Sequence, residues 1–200
     1  MRHPFVVAIT GPNGAGKSTL YDQVIRHRLK APFINADLIQ REELGEAAME
    51  ASYRAAEIAA QRRQAFVERG ESFAFESVFS HPSKLDTLKA ARDAGFRIIV
   101  FHVGVASPAI SVARVTHRVG EGGHPVPEEK VRERFARNLR LIRQAVTGAH
   151  RGLVYDNSRL NTPLHLVLEF DQGRLAHIRD PLPEWVARVY GPRLPERYRR

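Results

Sequence analysis

The sequence predicts an α/β fold in which a parallel sheet is sandwiched by helices. Three observations carry that expectation. Apolar runs such as Phe5-Val6-Val7-Ala8-Ile9-Thr10 and Arg97-Ile98-Ile99-Val100-Phe101-His102-Val103-Gly104-Val105 read as strands buried on both faces. Segments with apolar residues three and four apart alternate with them and read as helices. Between the first strand and the first helix lies Gly11-Pro12-Asn13-Gly14-Ala15-Gly16-Lys17-Ser18, which fits the G-x-x-x-x-G-K-[ST] pattern of a phosphate-binding P-loop.

The chemistry of that stretch follows from its residue types. Gly11, Gly14 and Gly16 let the backbone turn tightly and bring its N–H groups to phosphate oxygens. The helix that follows adds free N–H donors and a partial positive charge. Lys17 reaches the β- and γ-phosphates, and the Ser18 hydroxyl is the expected Mg²⁺ ligand. The expected nucleotide-binding set is therefore Gly11, Asn13, Gly14, Ala15, Gly16, Lys17, Ser18 and Thr19, with ATP and Mg²⁺ as cofactors. The competing reading is a glycine-rich turn with an incidental lysine. The strand before the motif, and Leu20 and Val24 four apart after it, argue against that.

A chain of 200 residues suffices for one α/β domain with a real core. No repeat, linker or boundary divides it, so one P-loop domain over 1–200 is expected. The absence of cysteine excludes disulfides, zinc–cysteine sites and thiol catalysis, and is consistent with a reducing cytoplasm. Met1-Arg2-His3-Pro4 leads straight into a strand-length run, and neither a signal peptide nor a transmembrane span is recognisable. The expected location is cytoplasmic, with no membrane partner. The net charge of +9 admits nucleic acid, a membrane surface or an anionic small molecule. Most of the arginines read as solvated surface and a few as a site for a phosphorylated substrate. No RNA-binding signature with interleaved aromatics is present, so nucleic acid is not the expected partner.

Beyond the first helix, Phe33-Ile34-Asn35 reads as a second strand. It leads into Asp37 at the strand's carboxyl end, where open α/β sheets bind ligands. A carboxylate there can accept a proton from a substrate hydroxyl, help to hold Mg²⁺, or cap a helix. From Leu44 to Arg69 the spacing predicts one long scaffold helix, stopped by Gly70. Ser72 to Phe79 reads as the next strand. Glu76 near its end either faces solvent or completes the Mg²⁺ or substrate site. Phe73, Phe75 and Phe79 make the strand look buried, so its charge needs a partner. A helix follows from Ser80-His81-Pro82 to about Ala94. His81 reads as a cap-region residue and His102, in the following strand, as a satisfied core histidine.

Ser107-Pro108 opens a helix that carries Arg114 and Arg118 on one face. Gly120-Glu121-Gly122-Gly123-His124-Pro125-Val126-Pro127 reads as a mobile loop. The helix beyond it buries Val131, Phe135, Leu139, Ile142 and Val146 and leaves Arg134, Arg137 and Arg140 off that stripe. Helix, glycine-rich loop and helix over about 114–140 resemble the lid of a small-molecule kinase, which excludes water and brings positive charge to the transferring phosphoryl group. The alternative is a solvated helical hairpin. At least one of these arginines is expected to do phosphate work. Gly152 to Ser158 reads as the last parallel strand. Its end, Asn157-Ser158, fits either a contact with adenine or ribose or a turn. Leu164 to Ile178, centred on Asp171-Gln172-Gly173, predicts a C-terminal β-hairpin. Pro183 to Tyr190 predicts a short helix, and Arg193 to Arg200 a frayed basic tail.

Five of these stretches occur as an ordered set. They are Gly11 to Thr19, Ile34-Asn35-Ala36-Asp37, Phe75-Glu76-Ser77-Val78-Phe79-Ser80, Arg114 through Glu128 with Arg132 and Arg134, and Tyr155-Asp156-Asn157-Ser158. Together they resemble the zeta-toxin family, including its shorter branch of ABC-type ATPases, over about residues 5–158. The resemblance implies an ATP/Mg²⁺-dependent kinase that phosphorylates UDP-N-acetylglucosamine on a sugar hydroxyl and starves cell-wall synthesis. It allows for an antitoxin as protein partner. It makes Asp37 the general base, with Lys17 and Ser18 holding ATP and Mg²⁺. Glu76, Ser77 and Arg134 fall at the substrate site, and Arg114 and Arg118 supply lid cations. His124 stands where long zeta toxins present arginine, and the chain ends in a hairpin where the larger toxins continue. Two rival functions remain open. One is a P-loop kinase acting on another small molecule or a nucleic-acid 5′-hydroxyl. The other is a nucleotide-binding regulatory protein without turnover.

Overall fold

The computed structural model describes residues 3–46, 48–120 and 126–199. Strand β1 (Phe5–Thr10) runs through the phosphate loop into α1 (Lys17–Leu20), which widens to a π-helical turn over Tyr21–Ile25. β2 (Phe33–Ile34) and α2 (Ala36–Leu38, widening to a π-helical turn over Ile39–Leu44) follow, then α3 (Met49–Glu68), β3 (Phe73–Ser77) and α4 (Ser83–Asp93). The second half comprises β4 (Arg97–Gly104), α5 (Pro108–Gly120), α6 (Glu128–Gly148), β5 (Arg151–Asp156), β6 (His165–Asp171), β7 (Arg174–Ile178) and α7 (Glu184–Tyr190).

The strands form one seven-stranded sheet in the order β2-β3-β1-β4-β5-β6-β7. The first five are parallel, and β6 and β7 add an antiparallel hairpin. β1 is central and buried on both faces, as its unbroken apolar run requires. Thr10 pairs with Ser77 on one side and His102 on the other. The phosphate loop therefore leaves the sheet between the carboxyl ends of β3 and β4. The chain goes to one side of β1 for β2 and β3 and to the other for β4 and β5, which makes this crevice the switch point where α/β sheets bind ligands.

Helices cover both faces. Val7, Ile9, Ala74 and Val103 pack with Leu20 and Ile25 of the first helix. On the opposite face Val6, Ala8, Phe73, Phe75 and Val100 pack with Ala55 and Ala59 of α3, Leu88 and Ala91 of α4, Ile142 and Val146 of α6, and Trp185 and Tyr190 of α7. Truncating a buried aromatic such as Phe75 removes about 3–5 kcal/mol from such a core.

Three predicted boundaries differ from those observed. The helix expected from Leu44 starts at Met49, because Gly45 takes a left-handed conformation (φ 65°) and ends the preceding helical turn. The Gln40 amide fills the gap by donating to the carbonyls of Glu46 and Ala48. β3 ends at Ser77 rather than Phe79. Phe79 turns inward at φ 53° and lies fully buried, 6.4 Å from the Phe75 ring. From Arg193 to Arg199 the expected tail is folded rather than frayed. Leu194 is buried, the Tyr198 hydroxyl donates to Asp180 at 2.8 Å, and Arg199 Nε donates to the Leu194 carbonyl at 2.9 Å. The apolar Leu194 and Tyr198 between the arginines find the core edge beside α7, which a count of charges overlooks.

The loop joining α5 to α6 includes Glu121-Gly122-Gly123-His124-Pro125, so His124 lies outside the described residues. No helix among the described residues is long and apolar enough to cross a membrane.

Candidate active site

The phosphate loop is built against its neighbours as closely as backbone allows. A Cβ on Gly11 would sit 2.1 Å from the Val103 carbonyl oxygen, and one on Gly16 would sit 2.4 Å from the Asn157 amide nitrogen. Gly16 also has φ 94°, a value that L side chains rarely adopt. The glycine spacing therefore reflects both conformation and the nearness of β4 and the end of β5.

Four side chains meet beside the loop. The Lys17 ammonium donates to the Pro12 carbonyl at 3.1 Å and lies 3.7 Å from the Glu76 carboxylate. The other Glu76 oxygen accepts from the Ser18 hydroxyl at 3.0 Å and from the Asn35 amide at 3.3 Å. Lys17 and Glu76 are only 7% and 10% exposed. A buried cation is tolerable here because a carboxylate faces it and both ends carry further hydrogen bonds. The partner that the buried Glu76 strand demands is thus Lys17, reached across the β1–β3 pair.

Asn35 is the N-cap of α2, its side-chain oxygen accepting from the backbone N–H groups of Asp37 (2.8 Å) and Leu38 (3.4 Å). The cap is therefore Asn35 and not the Asp37 carboxylate. The Asp37 carboxylate is exposed and makes no hydrogen bond or ion pair with the described residues. The Ser77 hydroxyl accepts from the Phe79 N–H at 3.1 Å and so fixes the turn after β3.

Of the predicted arginines, the structure brings Arg114 to the loop. A Cβ on Gly14 would lie 3.2 Å from the Arg114 Cβ, and one guanidinium nitrogen of Arg114 is buried without a hydrogen-bond partner. Arg118 is exposed one turn further along α5, and Arg134 is half-buried on α6; neither pairs with a described residue. The Asn13 side-chain oxygen is buried without a hydrogen-bond partner among the described residues.

One site residue was only half legible. The Asn157 amide donates to the Ala15 carbonyl at 2.8 Å, so it braces the loop from the end of β5. The polar cluster ending the last parallel strand was the available signal. Its neighbour Asp156 accepts from the Trp185 indole N–H at 2.7 Å and from the Ser158 hydroxyl. Trp185 lies flush on Gly104, where a Cβ would be 2.2 Å from the ring. His102 is a core histidine, as expected, but only half satisfied: its Nε2 is buried without a hydrogen-bond partner among the described residues. It is fully buried, its Nδ1 is 2.8 Å from the Tyr190 hydroxyl, and burial pulls it down to about 3. His81 lies just before Pro82, the N-cap of α4, and its Nδ1 accepts from the Ser83 N–H at 3.2 Å.

The oxygen donors at Ser18 and Glu76 suit a hard cation such as Mg²⁺, which completes its shell with phosphate and water. No group of three or more His, Cys, Asp or Glu side chains among the described residues could hold a metal by itself. Any Mg²⁺ here would therefore depend on the nucleotide for ligands.

Comparison with known proteins follows the same lines. The family model described as Zeta toxin matches residues 1–162. A protein of Haemophilus influenzae is 33% identical over 63 residues, 32% of this chain and 45% of that protein, so the match spans less than half of the curated relative. Among solved structures, the PezAT chromosomal toxin-antitoxin system of Streptococcus pneumoniae superposes with a TM-score of 0.61 at 15% identity, over 84% of this chain and 72% of that one. The AvrRxo1-ORF1:-ORF2 complex with ATP superposes with a TM-score of 0.66 at 14% identity, over 97% of this chain and 65% of that one. At these identities the superpositions establish the fold.

Proposed function

The chain belongs to the zeta toxin family, and from that premise we propose that it is an ATP- and Mg²⁺-dependent kinase. The proposed reaction transfers the γ-phosphate to a hydroxyl of UDP-N-acetylglucosamine or a related sugar nucleotide. The observation that carries this reading is the Lys17–Glu76–Ser18–Asn35 cluster beside the phosphate loop, with an unpaired Asp37 on the helix that Asn35 caps.

On this reading residues 1–200 are one kinase domain, with α5 and α6 as its lid over about 114–140. Gly11, Asn13, Gly14, Ala15, Gly16, Ser18 and Thr19 surround the nucleotide phosphates, and Lys17 swings from the Pro12 carbonyl onto them. Ser18 would hold Mg²⁺ together with the phosphates, and Glu76 would orient the Ser18 hydroxyl. When bound, that cation neutralises charge on the β- and γ-phosphates. Asp37 accepts the acceptor's hydroxyl proton as the hydroxyl oxygen attacks the γ-phosphorus. The bond from that phosphorus to the β–γ bridging oxygen breaks, and ADP leaves. Arg114, already beside Gly14, supplies positive charge to the transferring group, and Arg118 joins it on the same helix face. Glu76, Ser77 and Arg134 face the acceptor. Catalysis is then mostly positioning and charge neutralisation.

The relatives suggest a partner as well. The PezAT system is a toxin–antitoxin pair and AvrRxo1-ORF1 is crystallised with ORF2. A protein antitoxin that covers the phosphate loop fits the same reading. A second reading, a kinase of nucleic-acid 5′-hydroxyls, rests on the net charge of +9 and on a TM-score of 0.55 at 16% identity to the Pnkp1/Rnl/Hen1 RNA repair complex.

The deciding experiment measures ATP consumption with UDP-N-acetylglucosamine, other sugars and sugar nucleotides, nucleosides, and 5′-hydroxyl oligonucleotides. Stimulation by the UDP-sugar, lost in Lys17→Ala and Asp37→Ala, is expected. Stimulation by oligonucleotides alone, with binding that weakens steeply in salt, selects the second reading. ATP binding with no stimulation by any acceptor leaves a nucleotide-binding regulator.

A further inference from the structure

Arg63 continues the buried stripe of α3 below Ala55 and Ala59 and is only 3% exposed. Its guanidinium lies 5.2 Å from the centre of the Phe75 ring. It makes no hydrogen bond or ion pair with the described residues, and its Nε is wholly buried without a partner. A buried cation is costly unless it is paired. The aromatic face offsets only part of that cost. Burial pulls the Arg63 guanidinium down to about 10, and no carboxylate acts against the shift. A second cation, Lys84, lies within the field of Arg63. Lys84, half-buried on the first turn of α4, is lowered first by burial and then by the field of Arg63. Neither Arg63 nor Lys84 forms an ion pair with a carboxylate among the described residues, and each feels burial as its largest perturbation.

Their place in the fold is informative. Phe66 stacks on Phe73 at 5.6 Å while Arg63 lies over Phe75, so α3 runs antiparallel to β3. Helical side chains lean toward the helix N-terminus, which carries Arg63 toward the carboxyl edge of β3. Lys84 comes from the helix that begins at that same edge. Phe75 and Glu76 are consecutive, so they point to opposite faces of the sheet. Glu76 meets the phosphate loop on one face, and Arg63 with Lys84 wait behind the same strand end on the other.

We infer that Arg63 and Lys84 form a second anion site, separate from the phosphate loop, which takes a phosphate group of the acceptor. The acceptor's hydroxyl lies by Asp37 while its phosphate reaches over the edge of β3. The assignment to the acceptor rests on the kinase reading above; the anion site itself does not. Arg63 supplies a planar fork for phosphate oxygens and Lys84 a mobile point charge. The phosphate belongs either to the diphosphate of a sugar nucleotide or to the monoester of a sugar phosphate.

The test uses the full chain with its phosphate loop saturated by Mg²⁺ and a non-hydrolysable ATP analogue. Inorganic phosphate and pyrophosphate are titrated by calorimetry into the wild type, Arg63→Gln and Lys84→Gln. Saturable binding is expected in the wild type, weakened at least tenfold in each variant, with affinity for the ATP analogue unchanged. Absence of binding in the wild type, or equal binding in all three chains, overturns the site. Lys84 is half-exposed, so its variant keeps the test open if Arg63→Gln does not fold. Kinetics then separate the sources. A KM raised at least tenfold for UDP-sugars alone, or for sugar monophosphates alone, identifies the acceptor's phosphate, and a neutral sugar's KM stays constant. Turnover on phosphate-bearing acceptors with KM unchanged in both variants rejects the site and leaves the kinase standing. Anion binding that depends on Arg63, without turnover on any acceptor, rejects the kinase and leaves the site standing.

Discussion

Asn157 and Ala15 are 142 positions apart in the chain, yet the amide of one donates to the carbonyl of the other at 2.8 Å. That bond fixes the floor of the phosphate loop to the end of the last parallel strand. The same amide nitrogen occupies the space that a side chain at Gly16 would need.

Asn157→Ala should therefore loosen the loop without unfolding the chain. Losing one partly buried hydrogen bond costs about 1 kcal/mol, or roughly fivefold in ATP affinity if the whole effect falls on the bound loop. Calorimetric titration with ATP checks this. Unchanged affinity with an unchanged melting temperature would show that the brace is idle.

Glu76 and Lys17 should prove unequal. Lys17→Ala removes the phosphate ligand and is expected to abolish turnover with little change in fold. Glu76→Ala leaves Lys17 buried without its counter-charge, and breaking such a pair costs about 3–5 kcal/mol. Thermal melting of both variants distinguishes them, with Glu76→Ala expected to melt lower.

Asp37 bears no structural duty among the described contacts, because Asn35 does the capping. Asp37→Asn should lower kcat by about 10²–10⁴, the usual worth of a general base, and leave ATP affinity and melting temperature where they were. Asn35→Ala should do the reverse in part, costing about 1 kcal/mol of stability through the lost cap. Paired kinetics and melting curves on the two variants test the division.

His102 makes the fold sensitive to acid. Its folded-state value is about 3 against an ordinary 6.5, so below 6.5 the unfolded chain binds a proton that the folded chain refuses. The stability that neutral His102 contributes is complete above pH 6.5. It falls by about 1.4 kcal/mol per pH unit as pH drops toward 3. Denaturant melts at pH 7, 6 and 5 should show that slope in the wild type and a shallower one in His102→Gln.

Arg63→Met offers a check on the buried cation that does not involve any ligand. Methionine fills a similar volume and removes an unpaired charge, so the melting temperature should hold or rise. A large drop would mean that the guanidinium is structural.

How much of this was legible follows from the kind of signal each residue sends. The phosphate loop was readable because its glycines, lysine and hydroxyl act at fixed spacing within one turn of chain. The strands were readable because β1 and β4 are buried on both faces and must be apolar throughout. Glu76 was legible as a charge in an apolar strand, but its partners Lys17, Ser18 and Asn35 come from two other elements, and only the parallel pairing of β1, β3 and β2 brings them together. Arg63 was hidden for the opposite reason. On a helix rich in arginine and glutamate it looks like solvated surface, and only the packing of α3 on Phe75 shows that it points inward. The folded tail was missed because its arginines outnumber the Leu194 and Tyr198 that anchor it.

Trp185 is the only tryptophan in the chain. Its indole is bonded to Asp156, the residue beside the asparagine that holds the phosphate loop. The molecule thus carries its own fluorophore next to the brace of its nucleotide site. A change at the end of β5 when ATP arrives would alter the polarity and hydrogen bonding of that indole. Intrinsic emission, with no label attached, would then follow nucleotide arrival in a stopped-flow instrument.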